Sequence, residues 1–178
     1  FTEKFTARMA ALKLGNGADK SVDVGPLVNA DTRNKVAALV EDAISRGAKL
    51  ALGGTVPRGK GHFYPPTVLT DVSPQSDCVG DEIFGPVAAI QSFTSQEDVI
   101  TRANDTEYGL VGYLYTNDLR RGLQVSEQLE FGMIGLNRGL VSDPAAPFGG
   151  VKQSGLGREG GKEGMQEFME TQYIATQW

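Results

Sequence analysis

The sequence predicts an α/β fold: a mainly parallel open sheet with helices on both faces. Three observations predict it. Strand-like and helix-like segments alternate through most of the chain. Alternation of this kind gives right-handed crossovers and puts helices on the sheet faces. The chain has 178 residues, 40% of them hydrophobic, enough for one large domain or one and a half small ones.

The elements follow in order. Phe1, Phe5, Met9 and Leu12 recur at helical spacing, which predicts a helix over residues 1–14. No capping residue precedes it, so the chain is expected to be cut from a longer one. Gly15-Asn16-Gly17 and Val24-Gly25-Pro26-Leu27 read as turns. Asp31 or Thr32 caps a helix to about Arg46, with a stripe of Val36, Leu39, Val40, Ala43 and Ile44. Gly47 stands where a C′ glycine belongs. Residues 49–52 form a short strand, and a polar loop runs from Gly53 to Gly61. Residues 63–69, broken by Pro65-Pro66, predict an edge or irregular strand.

Residues 87–93 predict a strand. Thr94-Ser95-Gln96-Glu97 resembles a capping box that opens a helix to about Asn104. A strand over 110–115 follows, then a helix capped by Asn117 or Asp118 that carries Leu119, Leu123 and Leu129. Residues 133–136 predict a short buried strand after Gly132. The last helix is expected from Arg158 or later to Glu170, with Met165, Phe168 and Met169 inward. Residues 171–178 read as a terminal strand. A boundary near Asp143–Pro147 divides the chain into 1–146, a Gly-rich loop and helix at 147–170, and the strand at 171–178.

Composition excludes several function classes. A net charge of −5 argues against nucleic-acid binding, which needs a basic footprint. No apolar run approaches the ~20 residues of a membrane span. One cysteine cannot build an intrachain disulfide, and a reducing, cytoplasmic compartment is expected. One cysteine and one histidine make a poor metal donor set, so no metal is expected.

The most informative stretch is Pro147 to Gly161, in which six of fifteen residues are glycine. So many glycines cost backbone entropy, which a tight turn, close packing or a ligand must offset. Phe148 stands directly before Gly149-Gly150, the way an aromatic ring is presented on a loop. Gly155, Gly157 and Gly160 spell G-x-G-x-x-G, but no βαβ context surrounds them and the match reads as chance. Cys78 sits among Asp77, Asp81 and Glu82, which oppose thiolate formation, so it reads as an ordinary packed or exposed cysteine rather than a nucleophile. His62 reads as a surface or edge residue. Glu82, before the Gly85-Pro86 kink, could accept hydrogen bonds from sugar hydroxyls. Arg138 and Ser142 follow a predicted strand, where open α/β sheets bind ligands.

Four segments together resemble the aldehyde dehydrogenase superfamily in order and spacing. They are Glu82-Ile83-Phe84-Gly85-Pro86, Asn104-Asp105-Thr106-Glu107-Tyr108-Gly109-Leu110, Gly135-Leu136-Asn137, and Pro147 through Gly155. With Gly155-Leu156-Gly157-Arg158-Glu159-Gly160-Gly161 the pattern is most similar to the succinate-semialdehyde branch of that family. The resemblance implies the family's C-terminal part, with the catalytic cysteine and general-base glutamate upstream and no catalytic residue in this chain. It implies that Glu82 and Phe84 lie at the cofactor, with Glu82 on the ribose of the nicotinamide half. Phe148 would lie beside the nicotinamide ring and line the substrate end. Ser142 would help bind a substrate carboxylate, and Arg138 is a further candidate for the anionic substrate.

The implied reaction is thiolate attack on an aldehyde, hydride transfer to NAD or NADP, and hydrolysis to the acid. The isolated chain is expected to bind no cofactor and to turn nothing over. Residues 171–178 are expected to be an oligomerisation strand that joins copies into a homo-oligomer. The competing expectations are a relative acting on another aldehyde and a non-catalytic assembly module.

Overall fold

A computed structural model describes residues 1–178. The chain divides into two compact units, Phe1–Ser92 and Phe93–Trp178.

The first unit opens with α1 (Thr2–Ala10), on which the Phe1 and Phe5 rings stack with centroids 5.4 Å apart. It ends before residue 14 because the N–H groups of Ala11 and Leu12 fold back onto the carbonyls of Arg8 and Met9. The chain then pairs Leu14 with Val24 in an isolated bridge. Helix α2 (Ala30–Ser45) is capped by Asn29, whose side chain accepts from the Thr32 N–H at 2.8 Å. That places the cap ahead of Asp31 and Thr32, which instead occupy the first turn. The buried stripe is Val36, Leu39, Val40 and Ala43, at the spacing of a 3.6-residue period, whereas Ile44, expected on it, is exposed. Gly47 follows with φ 101°.

Strand β1 (Lys49–Leu52) runs antiparallel to β2 (Thr67–Thr70), and β2 runs parallel to β3 (Val87–Ala89). The strand expected at 63–69 to be irregular or at an edge is therefore central. Pro65 and Pro66 lie before it, and the ladder begins only at Thr67, whose N–H donates to Pro86 O at 2.8 Å. Prolines that precede a strand cost it no ladder donor. Thr67, Val68 and Leu69 are fully buried. A one-turn helix, α3 (Asp77–Gly80), connects β2 to β3 and carries Cys78 inward. The core joins α2 to Tyr64, Leu69, Val72 and Cys78.

Asp42 ties α3 to α2. One carboxylate oxygen accepts the Asp77 N–H at 2.9 Å, and the other meets Arg46 Nε at 2.6 Å. The backbone N–H and then the guanidinium hold the Asp42 carboxyl below the usual carboxylate range.

The second unit contains α4 (Gln96–Asn104), β4 (Tyr108–Gly109), β5 (Val111–Leu114), α5 (Leu119–Gln128), β6 (Met133–Leu136), β7 (Val151–Lys152) and α6 (Glu163–Gln166). Ser95 and Asp118 cap α4 and α5 by accepting from the N–H three residues on. Strands β5 and β6 pair in parallel around α5, and β4 pairs antiparallel with β7.

Three expectations are corrected. The sheets are small and mixed rather than one mainly parallel open sheet. The last helix is a single turn, and Met165, Phe168 and Met169 are exposed rather than inward. Residues 171–178 form no strand, and Tyr173, Ile174 and Trp178 stand in solvent. A strand needs a neighbour to take its ladder hydrogen bonds, and this segment pairs with none in the chain.

Candidate functional site

The Gly-rich segment forms a closed loop. Phe148 and Glu159 exchange two backbone hydrogen bonds, with Phe148 N–H donating at 2.6 Å and Glu159 N–H at 2.8 Å. Arg158 closes the loop from inside, its Nη1 donating to the carbonyls of Gly150 and Gly157, both at 2.7 Å. The Arg158 N–H donates to Glu167 at 3.0 Å. Strand β7 lies at the middle of the loop and anchors it to β4. The Ser154 hydroxyl accepts from the Gly109 N–H at 3.0 Å, on the same edge.

Gly132 shows how close the loop approaches. A Cβ on this residue would collide with the Gly149 carbonyl oxygen and lie 2.8 Å from Gly150 Cα. Only a residue without a side chain lets the start of β6 and the Phe148 loop share this space.

Ser142 and Phe148 line one cavity of about 350 Å³, with Asp143, Pro144, Glu159 and Gly160. The cavity pairs a half-buried aromatic ring with an exposed hydroxyl, and carboxylates stand at its rim. Such a setting gives a small polar molecule one flat apolar contact and one directional hydrogen bond. Arg138 lies on the exposed turn after β6 and does not line this cavity. That turn is set by Asn137, in the left-handed region at φ 54°, whose side chain exchanges two hydrogen bonds with the Thr116 backbone.

Glu82 and Phe84 belong to the first unit, and Ser142 and Phe148 to the second. Glu82 follows α3 and is exposed; its carbonyl, not its carboxylate, accepts from Lys35 Nζ at 2.9 Å. Phe84 holds φ 51° and is 69% exposed. A non-glycine residue in that region is uncommon and marks a locally constrained turn. The turn is tight because Gly85 packs against Val36, where a Cβ would lie 2.7 Å from Val36 Cγ2.

Cys78 is buried, and burial followed by the Asp42 charge pushes its thiol pKa up. A nucleophile needs the opposite shift, and of the packed and exposed alternatives the structure shows the packed one. Gly155, Gly157 and Gly160 all have positive φ in turns, and the β7 that precedes them is antiparallel, so no dinucleotide-binding βαβ unit forms. No cluster of His, Cys, Asp and Glu that could hold a metal ion is present. No helix is long and apolar enough to cross a membrane.

Sequence reading missed Asp143 and Glu159 as cavity-lining residues, and it missed Lys152 altogether. Pairing between segments tens of residues apart leaves no local periodicity to detect.

The aldehyde dehydrogenase family profile matches residues 1–174. A "Succinate-semialdehyde dehydrogenase" of Paenarthrobacter nicotinovorans is 54% identical over 98% of this chain and 39% of its own length. An "Aspartate-semialdehyde dehydrogenase (Non-phosphorylating)" of Halomonas elongata is 48% identical over 97% of this chain and 35% of its own. The crystal structure of a Mycobacterium tuberculosis aldehyde dehydrogenase complexed with NAD+ superposes with TM-score 0.87 at 40% identity, covering 94% of this chain and 35% of that one.

The chain thus spans a little over a third of the relatives it matches. These matches correct the expectation that the chain is the family's C-terminal part with its catalytic residues upstream. The profile match begins at residue 1 of the chain, and what it supports is a partial span of the family. The expected position of the thiol and the base upstream of this chain is therefore not borne out, and neither is the inactivity of the isolated chain that rested on it.

Proposed function

This chain belongs to the aldehyde dehydrogenase family, and on that premise we propose that the complete protein oxidises a small anionic semialdehyde, succinate semialdehyde foremost, with NAD or NADP as hydride acceptor. The observation that carries the reading is the cavity shared by Ser142 and Phe148. Its size suits a substrate of a few carbons. The Ser142 hydroxyl donates to the carboxylate end, and Arg138, on the exposed turn nearby in sequence, adds a positive field for an anion.

Each unit, taken by itself, offers a group suited to part of a nicotinamide nucleotide: in the second the Phe148 ring presents a flat apolar face, and in the first the Glu82 carboxylate, not engaged by Lys35, suits ribose hydroxyls. Phe84, exposed beside it, adds apolar surface. The cofactor, when bound, supplies the hydride-accepting chemistry. The chain's own residues shape the aldehyde pocket and hold the ring.

A second semialdehyde is the alternative substrate, favoured by the name of the Halomonas elongata relative. Self-association is part of the proposal: Phe168, Met169, Tyr173 and Ile174 are a run of exposed apolar residues of the kind that mark contact surfaces.

The test is a substrate panel on the complete protein: succinate, aspartate and glutarate semialdehydes and an uncharged aldehyde, each with NAD+ and NADP+. We expect the highest kcat/KM for succinate semialdehyde. A preference for the uncharged aldehyde would remove the role given to Ser142 and Arg138. Ser142→Ala should raise KM for the anionic substrate roughly 10- to 100-fold, the range for a hydrogen bond to a charged group.

A further inference from the structure

Lys152 stands outside the cavity and outside every role assigned so far. It lies in β7, four residues beyond Phe148, and holds φ 56°. A long-chain residue keeps that conformation only where its surroundings over-determine it. Here they do. Its ammonium group has three protons and three acceptors: Glu130 Oε2 at 2.7 Å, Asn104 O at 2.8 Å and Thr106 O at 3.3 Å. The side chain is only 26% exposed.

The Asn104 carbonyl is the last of α4, where helix carbonyls lack intrahelical partners and the helix dipole favours a cation, and Thr106 lies two residues beyond it. The same helix end is bound to the segment after α5. The Asn104 side chain donates to Gln128 O at 2.8 Å and accepts from the Glu130 N–H at 2.9 Å. One ammonium group therefore fastens three separate pieces of chain: the end of α4, the exit from α5 and the strand that carries the Phe148 loop. Asn104 and Lys152 lie 48 residues apart in sequence, and the fold makes them one device.

We propose that Lys152 is a positioning residue for the Phe148 loop. It fixes the register of β7 on β4, and through four residues of chain it fixes where the Phe148 ring stands in the cavity. Lys152 touches neither substrate nor cofactor in this reading. The proposal rests on the role given above to Phe148.

The experiment uses the complete protein with Lys152→Met and Lys152→Arg. Lys152→Met keeps the length and loses the charge and all three hydrogen bonds. Lys152→Arg keeps the charge and offers donors to the same acceptors. Hydrogen exchange of peptides spanning 147–157 is read without substrate, and steady-state kinetics with NAD(P)+ and the best aldehyde of the panel are read beside it.

With Lys152→Met we expect faster exchange confined to 147–157 and a kcat lower by roughly 10- to 100-fold, the scale of an ångström's misplacement of a reacting group. KM for the aldehyde should change by less than about threefold, since Ser142 is untouched. Lys152→Arg should restore most of kcat. Glu130→Gln, which removes one acceptor charge, should give the same pattern more weakly. Normal exchange in 147–157 and normal kcat in Lys152→Met overturn the proposal. So does a loss spread over the whole second unit, which marks a general fold defect. If the wild-type protein oxidises no aldehyde, the functional reading fails alone, and the exchange pattern still decides whether Lys152 holds the loop.

Discussion

The two units are built on opposite principles. The first, Phe1–Ser92, contains ten of the twelve buried hydrophobic residues, and the second only Ile100 and Val125. In the first unit apolar burial of α2 against β2 does most of the holding. In the second the work falls to hydrogen bonds that Arg158, Lys152, Asn104 and Asn137 donate to backbone carbonyls, and that Asn104 and Asn137 accept from backbone amides. An apolar core tolerates small shifts in register because dispersion contacts are numerous and weakly directional. A polar clasp tolerates little, since each bond demands its own geometry. The cavity with Phe148 sits in the unit held by clasps, where placement matters more than bulk stability.

The largest test of the contrast is Leu69→Ala, in the centre of the first unit's core. Removing a fully buried leucine should cost about 2–5 kcal/mol, read by chemical denaturation of the complete protein. Hydrogen exchange should locate the loss in residues 1–92. An equal loss in residues 93–178 would break the contrast, because the second unit would then depend on the same core.

Gly132→Ala is the matching test of the second unit. The new methyl meets the backbone of Gly149, which no rotamer change can relieve, so about 1–3 kcal/mol should be lost. Activity should fall further than that loss explains, since the Phe148 loop must move. Activity that simply follows the folded fraction would show that loop position is not critical.

Asp118→Ala removes the α5 cap and should cost about 1 kcal/mol. The loss should appear in exchange of α5 and β6 and leave the Ser142–Phe148 cavity unchanged, which a normal aldehyde KM would verify.

The smallest effect is on acid stability. The folded-state pKa of Asp42 lies below its ordinary value of about 3.9, so its contribution is present at neutral pH. It begins to be lost only as pH falls below that value, and is gone once pH has passed through the folded pKa. Asp42→Asn should flatten the acid side of the first unit's stability profile and leave that of the second unchanged. A change in both would mean the acid response is not local to α2 and α3.

What could be read from sequence follows the same division between local and distant causes. Asp118 and most of the α2 stripe were legible because a cap or a helical period lies within a few residues, whereas the box from Thr94 to Glu97 puts the α4 cap one residue ahead of Ser95. The Asn29 cap was missed by two residues, since Asp31 and Thr32 are equally good capping types. Strands β4 and β7 were missed because two residues carry no period, and they exist only through each other. Met165, Phe168 and Met169 have helical spacing, but spacing does not show whether a partner surface is present. Phe148, singled out by the Gly-Gly pair beside it, and Ser142, by its place after a strand, do line one cavity. Lys152 and Glu159 were not legible, because their partners are remote or are backbone atoms with no identity in the sequence.

Cys78 gives the first unit a clock. It is the chain's one thiol, buried on α3 and kept protonated by burial and by the Asp42 charge. A thiol reagent meets it only when α3 lifts from α2, so the labelling rate counts those openings. The second unit contains no cysteine. Its motions are silent to the same reagent, and one bottle of iodoacetamide separates the breathing of one half of the molecule from that of the other.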